Sequence, residues 1–390
     1  MRLCILYAYY AIYFMSMGPT ANFAAIFYEE IGLNNTQIGL LTSLPVLLGM
    51  LALPVFGILS DNARRRRNVI ALVLALCAGF SFLYDLTDRF ALLMVICTGT
   101  ALFSQPVLPL SSSLSMEYTA SVGRSFGPIR MAGSVGFQVS ALLAGVVFTT
   151  SMRGLYRMIG VFQLLAAGLA LLLPPIAGHQ RERGVRVSPV TLLRDRRVLL
   201  LLLMVFPGTI MSMFYQSFFT KHFASCGASN AMVGLMSVLS VGLELPFLLF
   251  SGRLYRKLTV WQWLLLGMAV NAVRWIGVAL TQNVMALLAL QLLGVSVLAC
   301  FEYFPALYLS ERVAPELLSS AQTTLNFVSF GIARVVGCLL GGALGDVIGV
   351  GAVFGLGGLM LAIGLVAFFA PARRMSALDR QTSGTTPAAE

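Results

Sequence analysis

The sequence predicts an all-α membrane protein with twelve transmembrane helices in two parallel six-helix repeats. Three observations carry that prediction: apolar runs of spanning length along nearly the whole chain, basic residues gathered in alternate connections, and one half of the sequence that lays over the other. With 58% hydrophobic and 11% charged residues among 390, the chain holds far more apolar surface than a soluble core of its size needs. A soluble fold is excluded on that ground.

A run of roughly twenty apolar residues crosses a ~30 Å hydrocarbon core at about 1.5 Å per residue. Such runs are read over 5–27, 38–58, 68–85, 90–110, 131–149, 155–175, 198–219, 231–251, 260–280, 285–308, 322–343 and 350–370. They are not alternating ten-residue strands, which argues against a barrel. The first follows a single Arg2 and is longer than the apolar core of a signal peptide, so it is expected to stay as helix one.

The net charge of +11 could suggest nucleic acid as a partner, but the placement of the charges argues against it. Arg2, Arg64 to Arg67, Arg124, Arg130, six arginines between Arg181 and Arg197, Arg253, Arg256, Lys257, Arg312, Arg373, Arg374 and Arg380 fall on one side of the predicted topology. The other side has Arg89, Arg153, Arg157 and Lys221, with Arg274 and Arg334 left inside spans. The positive-inside rule then puts both termini in the cytoplasm of a multi-pass inner-membrane protein. The six cysteines include no CxxC, and both histidines, His179 and His222, lie in connections, so no metal, cofactor or disulfide framework is expected.

The polar stretch around 176–197 divides the spans six and six. The expected organisation is an N-terminal bundle over 1–177, a cytoplasmic linker over 178–197, a C-terminal bundle over 198–371 and a disordered cytoplasmic tail over 372–390. With an offset of 195, residues 38–61 lie over 233–256, so that Gly39 meets Gly234 and Gly57 meets Gly252. Six spans separate the copies, which therefore share one topology.

Between spans two and three stands Gly57, Leu59, Asp61 and then Arg64, Arg65, Arg66 and Arg67. The glycine is expected to permit a tight exit from helix two, Asp61 to take the positive end of a neighbouring helix or an arginine, and the basic cluster to stay in the cytoplasm. This run resembles the loop signature of the major facilitator superfamily, and the resemblance implies a secondary transporter of that fold. Arg256 takes the aspartate's place in the second copy. Gly337, Gly341 and Gly345, and Ala132 with Gly136, repeat every four residues and predict close helix contacts.

Charges inside spans are the informative residues: Glu244 in span eight, Arg274 in nine, Glu302 in ten and Arg334 in eleven. Each costs about 2.5–3.5 kcal/mol at a helix centre on insertion scales, so they are expected to face the bundle interior or a wet cavity, and to pair. Which acid meets which base is left open by the sequence. Glu302 is the residue chosen to exchange a proton, against the alternative of a purely structural ion network.

The segment FGPIRMAGSVGF over 126–137 resembles the start of helix five in the branch that contains lactose permease and related oligosaccharide, nucleoside and phenylpropionate permeases. That resemblance implies that Arg130 contacts the solute, with Phe137 at the position of a stacking ring. Glu244 is similar to that branch's helix-eight glutamate, Arg274 to its helix-nine arginine, and Glu302, with Pro305 nearby, to its proton-carrying carboxylate in helix ten. The branch's helix-ten histidine is replaced by Ala299 or Cys300, and Arg334 has no counterpart. Glu117 is expected across the short connection as a partner of Arg130. Tyr7, Tyr9, Tyr10, Tyr13 and Asn22 either line a cavity or anchor the interface, while Asn271, Gln138, Gln216 and Asn326 bond a solute or another helix.

These residues together predict proton-coupled symport of a small organic solute such as a saccharide, nucleoside or aromatic acid. The partners expected are solute, protons and lipid, with no obligatory protein partner. Proton-antiport efflux is the alternative, kept open by 18 methionines, and a membrane sensor is the alternative of another class. No HExxH, nucleophile elbow or phosphate loop is present to suggest an enzyme.

Overall fold

The computed structural model describes residues 2–124, 126–149, 151–175, 195–312 and 325–383. Counting contiguous helical stretches as single rods, we number them α1 (Arg2–Glu30), α2 (Asn35–Asp61), α3 (Arg66–Leu83), α4 (Phe90–Ser121), α5 (Gly127–Val147) and α6 (Leu155–Leu171). There follow α7 (Arg196–Ser225), α8 (Asn230–Tyr255), α9 (Val260–Leu280), α10 (284–312), α11 (Phe327–Ile348) and α12 (Val350–Ser383). Nine helices among the described residues are long and apolar enough to cross a membrane. Leu155–Leu171 and Asn230–Glu244 are shorter apolar stretches.

The helix starts preserve the repeat. Helices begin at Asn35 and Asn230, and at Leu155 and Val350, each pair separated by the same 195 residues. Asn34 caps α2 in a reciprocal box with Gln37, and its counterpart Ser229 accepts from the Met232 amide at 3.3 Å. Each such cap satisfies an otherwise orphaned N–H and contributes about 1 kcal/mol. Gly32 and Gly227, and Gly154 and Gly349, all hold positive φ and form two further pairs at that offset. The connections, and not only the apolar runs, are therefore duplicated.

The chain divides into two compact units, residues 1–184 with 216–238, and residues 185–215 with 239–390. In the first, α1 packs on α5 and α6, α2 on α4, and α3 on α4 and α6. The later half of α7 and the start of α8 belong to this unit. There Lys221 pairs with Glu29 at 3.1 Å and donates to Asn35 Oδ1 at 2.6 Å, and Asn230 Nδ2 donates to the Phe148 carbonyl at 2.6 Å. In the second unit α9 packs on α12, the counterpart of α3 on α6.

Lipid is as apolar as a leucine side chain, so these helices gain little from burial as such and are held by close packing and internal hydrogen bonds. Gly136 accordingly meets the Ala11 backbone, Gly337 lies against the Ile210 carbonyl, and Gly341 against the Phe214 ring. Large apolar side chains such as Leu51, Val55, Leu280 and Val366 are open on the outside, a surface that water would not tolerate and lipid does.

Two expectations are corrected. Gly57 does not form a turn, because α2 continues through it to Asp61; a Cβ at Gly57 would meet nothing within 4 Å. The chain also stays ordered beyond residue 371. Although a tail was expected from 372, α12 runs as helix to Ser383, and 384–390 lie outside the described residues. The reason is a buried face at helical spacing formed by Ala372, Ser376 and Asp379. Ser376 Oγ and Thr259 Oγ1 are hydrogen-bonded at 2.7 Å, and Asp379 lies 3.6 Å from Arg197 and 3.5 Å from Arg312.

Candidate functional site

In the first unit the side chains of interest gather on α1, α4 and α5. Gly133 leaves room for the Phe14 ring, and Arg130, one helical turn earlier on α5, lays its guanidinium over that ring at 4.2 Å. Tyr9, Tyr10 and Tyr13 are buried beside it, with Tyr9 bonded to Ser111 at 2.5 Å, while Tyr7 is exposed. The tyrosine stretch is therefore mostly packed core, and Asn22 donates to the Gly18 carbonyl of its own helix. Phe137 is partly buried against the same core. Both amide atoms of Gln138 are buried without a hydrogen-bond partner among the described residues.

Glu117 does not pair with Arg130. It accepts from Arg66 Nη1 at 2.9 Å, because Arg66, the first residue of α3, turns its side chain inward while Arg65 stays exposed. Arg67 Nη1 donates to the Leu173 carbonyl at 2.8 Å. Two members of the basic cluster thus tie the start of α3 to the ends of α4 and α6, beyond any role in topology. Leu59 is exposed, and the side chain of Asp61 lies outside the described part.

In the second unit α10 departs from regular α geometry. It runs as α-helix over Val284–Gln291, tightens to a 3₁₀ turn at Leu292–Gly294, and widens to a π-helix over Leu298–Tyr303 before resuming as Phe304–Arg312. Glu302 lies in the π stretch. Arg334 lies in a three-residue α turn, Ala333–Val335, between the π stretches Phe327–Ile332 and Val336–Leu340 of α11. Interruptions of this kind gather at functional positions, since they expose backbone groups and re-aim side chains.

Phe301 is fully buried against Gly208 of α7 and Gly267 of α9, which leaves the next residue, Glu302, turned toward α8. Glu244 of α8 stands one helical turn before Phe247 on the same helix. The two helices are in register there, with Phe247 against Tyr303 and Phe304, and Ser251 donating to Tyr303 at 3.4 Å. Neither carboxylate has an ion-pair partner among the described residues.

The expected acid–base pairing is therefore replaced by an acid beside an acid. Arg274 is buried among neutral groups: Nη2 donates to Gln291 Oε1 at 2.6 Å, and the guanidinium carbon lies 4.8 Å from the Tyr215 ring and 4.2 Å from that of Trp275. Asn271 is buried, with Nδ2 donating to Ser296 Oγ at 2.9 Å and Oδ1 without a partner among the described residues. Gln291 and Tyr215 are not among the residues that the sequence singles out. Gln291 had a signal, being the one amide in the apolar run ALLALQLLGV.

A buried-charge site in a duplicated helical membrane protein narrows the field, and comparison decides it. The model of the MFS_1 like family matches residues 3–356. The chain belongs to the MFS_1 like family. It is a multi-pass membrane transporter of the major facilitator superfamily, and not an enzyme. It is 26% identical over 377 residues to "Maltose permease" of Geobacillus stearothermophilus, covering 94% of this chain and 93% of that one. Against "Probable 3-phenylpropionic acid transporter" of Escherichia coli (strain K12) the identity is 24% over 370 residues, covering 92% and 94%. The crystal structure of the nucleoside transporter NupG superposes with a TM-score of 0.81 at 17% identity, covering 95% of this chain and 99% of that one, which shows the shared major facilitator fold.

Proposed function

We propose that the protein is a proton-coupled symporter of a small organic solute, a saccharide, nucleoside or aromatic acid, in the cell inner membrane with both termini in the cytoplasm. The observation that carries this reading is Glu302, a carboxylate in a π stretch inside a span, on the part of α10 that packs against α8 near Glu244, with no base paired to it among the described residues. A carboxylate in a poorly hydrated setting with another acid on the neighbouring helix and no permanent cation paired to it can take up and release a proton as access changes.

Arg130, in the first unit, is the candidate solute contact. It is half-buried, rests on Phe14, and has no carboxylate bound among the described residues, so its donors are free for hydroxyl or carboxylate oxygens of a solute. Phe137, two turns further along α5, offers a ring to a sugar, base or phenyl face. The solute classes carried in the names of the maltose and 3-phenylpropionic acid relatives suit a cation beside aromatic rings. Transport then proceeds by alternating access to a site near the bilayer midplane.

The test uses proteoliposomes and radiolabelled maltose, uridine and 3-phenylpropionate. Glu302→Gln is expected to abolish accumulation driven by a proton gradient and to retain counterflow exchange of whichever solute the wild type carries. Undiminished uphill accumulation by Glu302→Gln removes Glu302 from coupling.

A further inference from the structure

One face of α9 engages α10 at three successive levels. A Cβ added to Gly267 would lie 2.5 Å from Cys300 Cβ, Asn271 Nδ2 donates to Ser296 Oγ at 2.9 Å, and Arg274 Nη2 donates to Gln291 Oε1 at 2.6 Å. Positions 267, 271 and 274 are one stripe of a helix. Their partners descend along α10 in the opposite direction, as they must between antiparallel neighbours.

The first of these contacts falls on the π stretch of α10, and the last borders its 3₁₀ turn. A Cβ on Gly294 would come within 3.2 Å of Arg274 Nη2, so the guanidinium lies on the backbone of the 3₁₀ turn Leu292–Gly294. Its acceptor is itself anchored, since Gln291 Nε2 donates to the Leu287 carbonyl at 3.0 Å. Ser296 is fixed the same way, donating to the Leu293 carbonyl at 2.6 Å.

A tight turn followed by a wide one leaves the rotational phase of a helix poorly determined. Slippage of one residue turns everything downstream by about 100°, at 3.6 residues per turn. For Glu302, eight residues beyond Gly294, such a turn would carry the carboxylate away from α8. A buried guanidinium is expensive where it neutralises nothing, and here it touches no acid among the described residues. What it contributes is a fixed point between α9 and the turn.

We propose that Arg274 is a positioning residue, clamping α10 through Gln291 and the Gly294 backbone so that Glu302 is held beside Glu244. The proposal rests on the reading of Glu302 as the proton carrier, and it gives Arg274 a role distinct from a charge partner. Among the described groups packed on the Glu302 segment, α7 presents Gly208, α9 presents Gly267 and Trp263, and α8 presents Phe247, Ser251, Tyr255 and Glu244, of which Tyr255 and Glu244 are ionisable.

The experiment follows the protonated-carboxyl band of Glu302 by infrared difference spectroscopy of the full chain in lipid, with pH as the variable. The band is identified by its loss in Glu302→Gln, which requires no solute. Gln291→Leu removes the acceptor of the clamp, and Gly294→Ala crowds the guanidinium off the turn by a few tenths of an ångström, neither altering a charge. Each is expected to move the midpoint of that band by about one pH unit, a tenfold change in proton affinity. Arg274→Lys, which keeps the charge but not the fork, is expected to move it as well.

Midpoints at the wild-type value in Gln291→Leu and Gly294→Ala, both folded by thermal unfolding, overturn the clamp. If one of the two fails to fold, the other decides. Absence of any band that Glu302→Gln removes overturns the proton reading and this proposal with it, whereas a titrating Glu302 that ignores both substitutions overturns the clamp alone.

Discussion

Asp379, near the end of α12, accepts a hydrogen bond from Trp261 Nε1, near the start of α9, at 2.8 Å. Arg197 at the start of α7 and Arg312 at the end of α10 approach the same carboxylate at 3.6 and 3.5 Å. One acid thus gathers the ends of four helices. Asp379→Asn keeps the size and loses the charge, leaving two arginines partly compensated. It is expected to lower stability by about 1–3 kcal/mol, read as a fall in the thermal unfolding temperature in detergent. Trp261→Phe, which removes one donor, is expected to cost less.

Arg66 and Glu117 form the corresponding tie in the first unit, at 2.9 Å with the arginine side chain 8% exposed. Because one partner is buried, Arg66→Gln leaves a half-buried acid behind and Glu117→Gln a buried cation. A double-mutant cycle on thermal stability is expected to give a coupling of about 1–3 kcal/mol. A coupling near zero would make the pair a surface contact in effect.

Glycines separate by what surrounds them. Gly341→Leu forces a side chain into the Phe214 ring and is expected to destabilise by about 1–3 kcal/mol or to prevent assembly of the bundle. Gly57→Ala adds a methyl where there is open space inside a helix, and is expected to leave stability unchanged or raise it by about 0.5–1 kcal/mol. Thermal unfolding of the two variants side by side checks both.

Cys226, just after α7, is a free thiol whose partial burial raises its pKa above the ordinary thiol value. The thiolate is the reactive form, so a raised pKa means less of it at neutral pH and slower alkylation. A membrane-impermeant maleimide added to intact cells is expected to label Cys226 slowly at neutral pH and faster as pH rises. Cys4, exposed near the opposite end of α1, is expected to remain unlabelled until the membrane is opened. Labelling of Cys4 in intact cells would invert the proposed topology.

Much of the fold was legible because a membrane imposes one requirement on every span: twenty residues without exposed polar backbone. The runs, the duplication and the close glycines follow from it and are visible in one dimension. The charges were visible too, but their partners were not. Glu117 went to Arg66 and not to Arg130 because the start of α3 lies beside the end of α4, a fact of packing. Arg274 found Gln291 because α10 tightens at Leu292–Gly294, and no periodicity announces a 3₁₀ turn inside an apolar run. The helical extension to Ser383 was hidden for a related reason. Its composition is polar enough for a free tail, and only the neighbours of Asp379 make it a docked one.

The matched turn glycines carry a consequence for experiment. Gly32 and Gly227 both hold positive φ, 87° and 93°, with open space where a Cβ would stand, whereas Gly154 and Gly349 share positive φ, 93° and 84°, but not ψ, −6° against 147°. A substitution made in one copy therefore has a built-in reference in the other, within the same polypeptide and the same membrane. Where the paired variants behave alike, the effect belongs to the shared backbone plan; where they part, the difference isolates what each copy has acquired since the two sequences diverged.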